Sequence, residues 1–301
     1  MSNEGSVGVN VETKDRSLRF SVNARPWLFL GLTLGLTWLF EFLAAAIGDF
    51  IPGWGVTTLH YLGGIMPLAV AAGLTHLRHD RPFQRDFWRR IVDVRRIHFG
   101  WYAVIFLYTP VKSGLAALID ILLGGSGIVP EALTRLMEQP LLIVPTLFFW
   151  LLFGPVPEEP GWRGYALDGL QARRNALSAS LIVGVVWSVW HLPLFFIEGT
   201  WQAEAVGLGT QRFRFYMLTI VIEAILYTWI YNNTNRSTLS AILFHFMGNA
   251  FGELFALSAR AEVYSFILAI VAVVLVVIIW GPRTLTGEKK ESQPTIRGDP
   301  D

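Results

Sequence analysis

The stretch PVPEEPGWRGYAL, residues 155 to 167, places two carboxylates and an arginine directly after the apolar run PLLIVPTLFFWLLFG, residues 140 to 154. Ionisable side chains at membrane depth are costly and usually mark a functional site. Glu159 and Arg163 stand at i, i+4, so on a helix they can pair on one face, whereas Glu158 points about 100° away. The spacing predicts that one carboxylate anchors the structure and that Glu158 is free for chemistry. An ordinary interfacial ion pair that ends a span is the structural alternative.

The backbone of this stretch is also unusual. Pro160 removes a helical hydrogen bond and Gly161 relaxes the turn, so we do not expect residues 157 to 161 to form an unbroken ideal helix. Irregular backbone at membrane depth is tolerated only where it lines a protein or water cavity. The stretch therefore predicts an intramembrane polar cavity.

The composition sets the class of protein. The chain has 301 residues, of which 53% are hydrophobic and 16% charged, and this balance indicates a polytopic membrane protein. It has no cysteine, which excludes disulfides, thiolate metal sites and a cysteine nucleophile. The net charge of +1 says nothing about nucleic acid, because the basic residues are distributed by membrane topology. The sequence has no nucleic-acid motif, so we expect membrane lipids as partners and no nucleic acid.

Apolar segments of about 20 residues, the length that spans a bilayer as a helix, follow one another along the chain. We predict an all-α fold, an eight-transmembrane-helix bundle, with one transmembrane domain at residues 25–281 between polar cytoplasmic tails at 1–24 and 282–301. The predicted spans are residues 27–47, 59–77, 101–123, 141–156, 176–197, 213–231, 238–257 and 263–280.

The distribution of basic residues predicts the orientation. Most of the 24 Lys and Arg residues fall in the two tails and in the loops after the second, fourth and sixth spans, and such loops are normally cytoplasmic. The exceptions are Arg135, Arg212, Arg214 and Arg260, on the other side, and Lys112, within a span. We therefore expect a multi-pass protein of the plasma membrane with both termini in the cytoplasm.

Two further polar groups interrupt later spans. His191 lies in WSVWHLPLFF with Trp187 four residues earlier on the same face, and Pro193 frees backbone carbonyls nearby. His245 and Asn249 lie one above the other on a helix face, where both can point donors at one developing oxyanion. Structural hydrogen bonding between helices is the alternative for both groups.

Together these residues form a set suited to hydrolysis. A carboxylate or an imidazole can act as general base on water, and donors can hold a tetrahedral intermediate. The chain has no HExxH motif, which excludes the zincin arrangement. Two His and one carboxylate can also bind catalytic zinc, so Glu158, His191 and His245 are an alternative divalent-metal site.

The pattern resembles the CPBP family of intramembrane proteases, which includes the type II CAAX prenyl endopeptidases and bacterial abortive-infection and bacteriocin-immunity proteins. The family signature is EExxxR, FxxxH and HxxxN or HxxxD on separate spans. This chain has EEPGWR from Glu158 to Arg163, WSVWH from Trp187 to His191, and HFMGN from His245 to Asn249. The resemblance covers about residues 140–257. Trp187 replaces the usual Phe, a change we expect to affect the wall of the site more than its chemistry.

The resemblance implies an eight-helix bundle whose cavity opens toward the cytoplasm, with either glutamate-dependent or metal-dependent proteolysis. The implied substrate is a membrane-anchored or lipidated protein or peptide, although no residue here encodes a requirement for a prenyl group. The implied roles are water activation by Glu158 and His191, an oxyanion hole from His245 and Asn249, and bracing of the site by Glu159 and Arg163.

An intramembrane endopeptidase is thus the leading hypothesis. One alternative is a non-catalytic membrane protein for bacteriocin immunity or partner binding, in which the same polar cluster is structural. Another is a proton-coupled transporter with Glu158, Glu223 and His191 as a relay, against which stand the missing internal repeat and the His/Asn pair. Glu253, also within a span, is a further candidate residue.

Overall fold

A computed structural model describes residues 24–78, 80–129 and 131–286, and these are mostly helical. Two short strands, β1 at Ile128–Val129 and β2 at Ala256–Leu257, pair antiparallel at one end of the bundle. The α-helices are α1 Pro26–Ile47, α2 Gly53–Gly64, α3 Met66–Leu77, α4 Arg81–Val92, α5 Phe99–Leu122, α6 Glu131–Glu138, α7 Ile143–Leu152, α8 Pro155–Gly161, α9 Asp168–Gln171, α10 Ala176–Trp190, α11 Gln211–Asn233, α12 Thr238–Leu254 and α13 Ala259–Trp280.

The helices confirm an all-α polytopic membrane protein. Among the described residues, six helical segments are long and apolar enough to cross a membrane, and a bent pair, α2 with α3, brings the number to seven. The predicted span 238–257 is the 17-residue helix α12, which is shorter than the others. The predicted number of eight membrane-spanning helices is therefore not confirmed.

The second predicted span is bent. Helices α2 and α3 meet at 44°, and Pro67 lies in the first turn of α3, where its missing N–H costs no helical bond. At the bend α1 comes close, because Thr37 Oγ1 donates to the carbonyl of Gly63 at 2.9 Å. A Cβ on Gly63 would lie 2.8 Å from Glu41 Oε1, so glycine permits this contact between α1 and α2.

The segment around the Glu pair stays helical but changes its winding. Residues Pro140–Gln171 form one long helical span in which Trp162–Leu167 is a π-helix. The irregularity expected at residues 157–161 thus falls just after them, and π-helical turns are frequent at functional sites. Gly161 lets this helix approach α3, because a Cβ there would lie 2.6 Å from the carbonyl oxygen of Pro67.

A buried ionic network closes one end of the bundle, which we call the arginine-rich end: residues 24–26, 78, 80–98, 168–176, 231–238 and 281–286. Asp168 accepts from Arg236 Nε at 2.8 Å and from Tyr231 at 3.2 Å. The fully buried Arg90 of α4 lies 3.5 Å from Asp168 and 3.0 Å from Asp86. Burial acts to raise the pKa of Asp86, but Arg90, Arg236 and Arg96 outweigh it and hold that pKa below its usual value.

The opposite end, which we call the arginine-poor end, consists of residues 47–53, 122–129, 131–140, 196–211 and 254–260. Here the β1–β2 pair ties the segment after α5 to the one after α12. Asp120 accepts from the backbone of Gly127 and from Ser258, both at 2.8 Å, and pairs with Arg260. These contacts join α5, the segment after α12 and the start of α13. On the α11 side of the same end, Arg212 pairs with Glu262 of α13 and donates from Nη1 to the carbonyl of Ala205 at 2.8 Å.

The packed bundle includes residues just outside the predicted range 25–281. Ala24 and Leu285, assigned to tails by the sequence, are buried. The carbonyls of Thr284 and Leu285 accept from Asn232 and Asn233 at 2.8 and 2.7 Å. Residues 1–23 and 287–301 of the two predicted tails lie outside the described residues.

Candidate active site

The three sequence motifs converge in the interior of the bundle. Glu158 lies on α8, His191 follows the last turn of α10, and His245 and Asn249 lie on α12. All four line one cavity of about 370 Å³. The structure thus brings together the residues that the sequence proposed for catalysis.

Glu158 is held by one side chain and faces the cavity with the rest of its carboxylate. Its Oε2 accepts from the indole Nε1 of Trp187 at 2.7 Å. Its Oε1 has no hydrogen-bond partner among the described residues, so it can receive a water proton. Trp187 thus contacts Glu158 directly, through an N–H that Phe does not have. Whether Trp187 affects the chemistry or mainly the wall of the site stays a prediction.

His191 has a defined tautomer. Its Nδ1 lies 2.8 Å from the carbonyl oxygen of Trp187, and a carbonyl only accepts, so Nδ1 carries the proton. In the neutral imidazole Nε2 is then the free basic nitrogen. Because His191 lines the same cavity as Glu158, this nitrogen is available to a water molecule there.

Glu159 supports the site by holding the side chain of His245. It is fully buried, and its Oε1 accepts from Arg163 Nη1 at 3.0 Å and from His245 Nδ1 at 2.8 Å. The predicted i, i+4 ion pair is present. The carboxylate therefore fixes the ring of His245 with Nδ1 as donor, which directs Nε2 away from Glu159.

Arg163 is also fully buried and lies between two aromatic rings. Its guanidinium carbon is 4.3 Å from the ring centre of Trp187 and 4.1 Å from that of Tyr227. Within the described part of the chain, Arg163 Nε and Nη2 have no hydrogen-bond partner. The buried positive charge of Arg163 is thus stabilised by the ion pair with Glu159 and by two cation–π contacts. Cation–π contacts are stronger when the groups are desolvated.

Asn249 presents an unused amide to the cavity. Its side chain is half-buried and has no hydrogen-bond partner among the described residues. Gly154 of the preceding span makes room for it, since a Cβ there would lie 3.0 Å from Asn249 Nδ2. The Nδ2 donor is therefore available to an oxygen atom of a bound substrate.

The charges of the cluster balance if His245 is protonated. Ionised Glu158 and Glu159 carry two negative charges, and Arg163 supplies one positive charge. Buried charges are stable only when compensated, and an imidazolium at His245 brings the sum to zero. It would also leave an N–H at Nε2, the second donor that an oxyanion hole needs.

The proposed metal ligands do not form a binding group in this structure. Within the described part of the chain, no three or more His, Cys, Asp or Glu side chains are placed to hold a metal ion. Trp187 occupies one oxygen of Glu158, and the Nδ1 atoms of His191 and His245 are engaged elsewhere. Metal dependence therefore stays a prediction for experiment, and no reaction step is derived through a metal.

A second cavity of about 390 Å³ meets the first at His191, His245 and Asn249. Its far wall carries Glu223, which pairs with Lys112. The relay that the transporter hypothesis requires thus has one carboxylate already neutralised by a lysine. Glu253 is exposed and lines the rim of both cavities.

Sequence reasoning missed one polar pair of the first cavity. Glu41 of α1 is buried, and both its oxygens lie 3.1 Å from Nδ1 of His60 on α2. The available signal was Glu41 itself, an ionisable residue in the middle of the first apolar segment. Its partner could not be identified, because the spacing between spans does not show which faces meet.

The cavities lie toward the arginine-poor end. Trp201 and Gln202, between α10 and α11, line the first, and Phe255 and Leu257, after α12, line the second. The distribution of basic residues predicts that the arginine-rich end is cytoplasmic, and the family resemblance implies a cavity that opens toward the cytoplasm. With the cavities toward the arginine-poor end, these two predictions do not agree with each other.

Replacing Trp187 with Phe is expected to lower kcat for peptide cleavage by about ten- to a hundredfold, since one hydrogen bond to a charged group contributes roughly 1.5–3 kcal/mol and about 1.4 kcal/mol is a factor of ten. The ring contacts with Arg163 and Tyr227 remain. Steady-state kinetics on purified protein measures the effect. Trp190→Phe is the matched control, because its indole donates to Thr37 instead of Glu158. Equal kcat losses in the two variants would assign the effect to packing.

Comparisons with known proteins agree with this geometry. Residues 140–251 match the family model of the type II CAAX prenyl endopeptidase Rce1-like proteins. A protein named CAAX prenyl protease 2 from Methanococcus maripaludis is 30% identical over 244 residues, which is 81% of this chain and 89% of that protein. The matched region contains all the residues that line up as EExxxR, WxxxH and HxxxN.

Proposed function

Because this chain belongs to the Rce1-like family of type II CAAX prenyl endopeptidases, it is an intramembrane endopeptidase, and we propose that Glu158 and His191 activate the attacking water. The observation that carries this proposal is the convergence of Glu158, His191, His245 and Asn249 on one cavity inside the bundle. Glu158 offers a free carboxylate oxygen and His191 a free Nε2. A water molecule between them can be oriented by one group and deprotonated by the other.

The reaction follows from these positions. Glu158 takes a proton from water while the oxygen attacks the carbonyl carbon of the scissile peptide bond. The negative charge that develops on the carbonyl oxygen is held by Nε2–H of His245 and Nδ2–H of Asn249. The tetrahedral intermediate then collapses, the C–N bond breaks, and protonated Glu158 returns its proton to the leaving amine.

Glu159, Arg163 and Trp187 act as positioning residues in this scheme. Glu159 orients His245 and stabilises its protonated form, Arg163 compensates Glu159, and Trp187 holds one oxygen of Glu158. Preorganised donors act without reorganisation cost during the reaction. The complete burial of the Glu159–Arg163 ion pair supports a role for both residues in holding the site in place.

The membrane arrangement that fits best has eight spans. Helix α12 has 17 residues, roughly the shortest length that crosses a bilayer, and it lies between α5, α8 and α11. With α12 as a span and α2 with α3 as one bent span, both termini lie on the same side. The distribution of basic residues supports a cytoplasmic position for that side, and we propose the plasma membrane as the location.

The substrate is proposed to be a protein or peptide associated with the membrane. The archaeal relative is named as a CAAX prenyl protease, which suggests substrates with a lipidated cysteine. The aromatic side chains of Tyr61, Trp150, Phe153 and Trp190 line the first cavity and suit an apolar segment or lipid chain. A prenylated and an unmodified version of one peptide would show whether the lipid is needed.

A cleavage assay tests the function and the role of metal together. We expect the purified protein in detergent or proteoliposomes to cleave a quenched fluorescent peptide, and we expect activity to survive a strong chelator. Activity that disappears with chelator and returns with a divalent ion would establish a metalloprotease. No cleavage of any peptide by well-folded protein would favour the non-catalytic alternative, immunity or partner binding.

A further inference from the structure

We infer that helix α4 binds the phosphate of an anionic membrane lipid through Arg81, Arg85 and Arg89. The inference does not depend on the proposed endopeptidase function or on which side of the membrane the helix faces. Its site is a surface cavity of about 390 Å³ at the arginine-rich end, separate from the two cavities described above. The residues that line it are Arg81, Pro82, Arg85, Asp86, Arg89 and Arg96.

The position of α4 in the chain places it at the membrane surface. The bent helix pair α2–α3 ends at Leu77, and the long apolar helix α5 begins at Phe99. Both of these apolar side chains are largely exposed. The 12-residue helix α4 connects the two segments at the same end of the bundle, so it lies where lipid headgroups are found.

The exposed face of α4 carries both arginine and apolar side chains. Five exposed residues lie within about 60° of the centre of this face, at about 100° of rotation per residue: Arg81, Arg85, Trp88, Arg89 and Val92. On the opposite face, Phe87 and Arg90 are fully buried in the bundle. Arginines beside an indole and an aliphatic side chain are typical of a helix that lies in the bilayer interface. The exposed face is therefore suited to contact headgroups and acyl chains together.

The three arginines are four residues apart, so their side chains lie one above another on the helix. Like charges at this spacing destabilise a helix. Among the described residues, none of the three guanidiniums forms a hydrogen bond or an ion pair. Topological charge alone would be satisfied by arginines anywhere in this connection, and their concentration on one exposed face indicates an external anion.

The carboxylate in the wall of the cavity, Asp86, is already paired with other arginines. Its Oδ1 accepts from Arg96 Nη2 at 2.7 Å. Its Oδ2 lies 3.0 Å from Nε of Arg90 and 3.7 Å from Nη2 of Arg236. Asp86 therefore does not neutralise the three exposed arginines, and the cavity keeps a positive charge.

A phosphate group fits this arrangement. The guanidinium fork binds phosphate oxygens in pairs, and arginines four residues apart are separated by about 6 Å along the helix axis, so two of them can share one phosphate. Trp88 and Val92 favour a lipid over a free anion, because acyl chains can cover these apolar side chains and inorganic phosphate cannot.

Lipid binding to the purified full chain tests the inference. Native mass spectrometry can compare the anionic lipid phosphatidylglycerol with the zwitterionic lipid phosphatidylcholine. We expect the native chain to bind phosphatidylglycerol at least about tenfold more tightly, since each arginine near an anionic surface contributes about fivefold. In Arg81→Gln/Arg85→Gln/Arg89→Gln this preference should disappear. Thermal unfolding is followed in parallel, and Arg85→Gln alone gives the same test with a loss of about fivefold.

The matched control is Arg95→Gln/Arg174→Gln/Arg283→Gln. It removes the same charge from exposed positions of the same end that do not line the cavity, and we expect it to keep the preference for phosphatidylglycerol.

Four results would overturn the inference. The first is equal affinity of the native chain for the two lipids, which requires no variant. The second is an undiminished preference in folded Arg81→Gln/Arg85→Gln/Arg89→Gln, and the third is an equal loss in the control, which would assign the preference to net charge. The fourth is displacement of phosphatidylglycerol by inorganic phosphate beyond the effect of chloride at the same ionic strength, which would indicate a site for a small anion instead of a lipid.

Discussion

Glu158→Gln is expected to reduce kcat/KM for peptide cleavage by at least about 1000-fold, within the range that a general base contributes. Gln has nearly the same shape and can still accept the hydrogen bond from Trp187, so the change removes the proton acceptor and little else. Initial rates on purified protein, with thermal unfolding followed in parallel, measure activity and folding separately.

The matched control is Glu253→Gln. Glu253 is a carboxylate of the same cavity, but it is exposed at the rim and has no role in the proposed reaction. We expect it to keep activity within a few-fold of the native protein. A Glu158→Gln variant that turns over at a comparable rate would remove Glu158 from the mechanism and leave His191 as the remaining base.

Arg163→Met is expected to have the largest effect on stability, about 3–5 kcal/mol, the typical result of removing one partner of a buried ion pair. Glu159 is fully buried; it would keep its hydrogen bond from His245 but lose the compensating charge of Arg163. The space between Trp187 and Tyr227 would also lose its cation. The measurement is the unfolding temperature in a mild detergent, together with the yield of monodisperse protein.

The double variant Glu159→Gln/Arg163→Met separates charge from packing. It removes both charges, so we expect it to recover most of the lost stability, as replaced buried ion pairs often do. Its activity should stay low, because His245 loses the carboxylate that orients and compensates it. A single Arg163→Met variant as stable as the native chain would show that this ion pair does not support the fold.

The two carboxylates of the EEPGWR stretch thus have separate tasks because the helix turns them in different directions. Glu159 faces α12 and the interior, where a histidine and an arginine share one of its oxygens. Glu158 faces the cavity, where an indole holds one oxygen and leaves the other open. Adjacent residues differ in role because about 100° of helical rotation separates their side chains.

Most of the secondary structure could be predicted from local apolar patterns. Seven of the predicted spans correspond closely to helices such as α1, α5 and α13, since about 20 apolar residues in a row have few other stable forms in a bilayer. The bend between α2 and α3 and the π-helix at Trp162–Leu167 were not predicted. Both depend on close contacts between helices at Gly63 and Gly161, which a single segment does not specify.

The amino-acid sequence alone determined the all-α membrane class, the family and the residues that meet in the cavity, because hydropathy, motif spacing and arginine distribution are properties of the linear chain. Only the tertiary structure decided what each residue touches: that Trp187 donates to Glu158, that His245 pairs with Glu159, and that Glu41 meets His60. It also decided the end at which the cavity lies. These features depend on which helix faces meet and at what depth, and packing among the helices sets both.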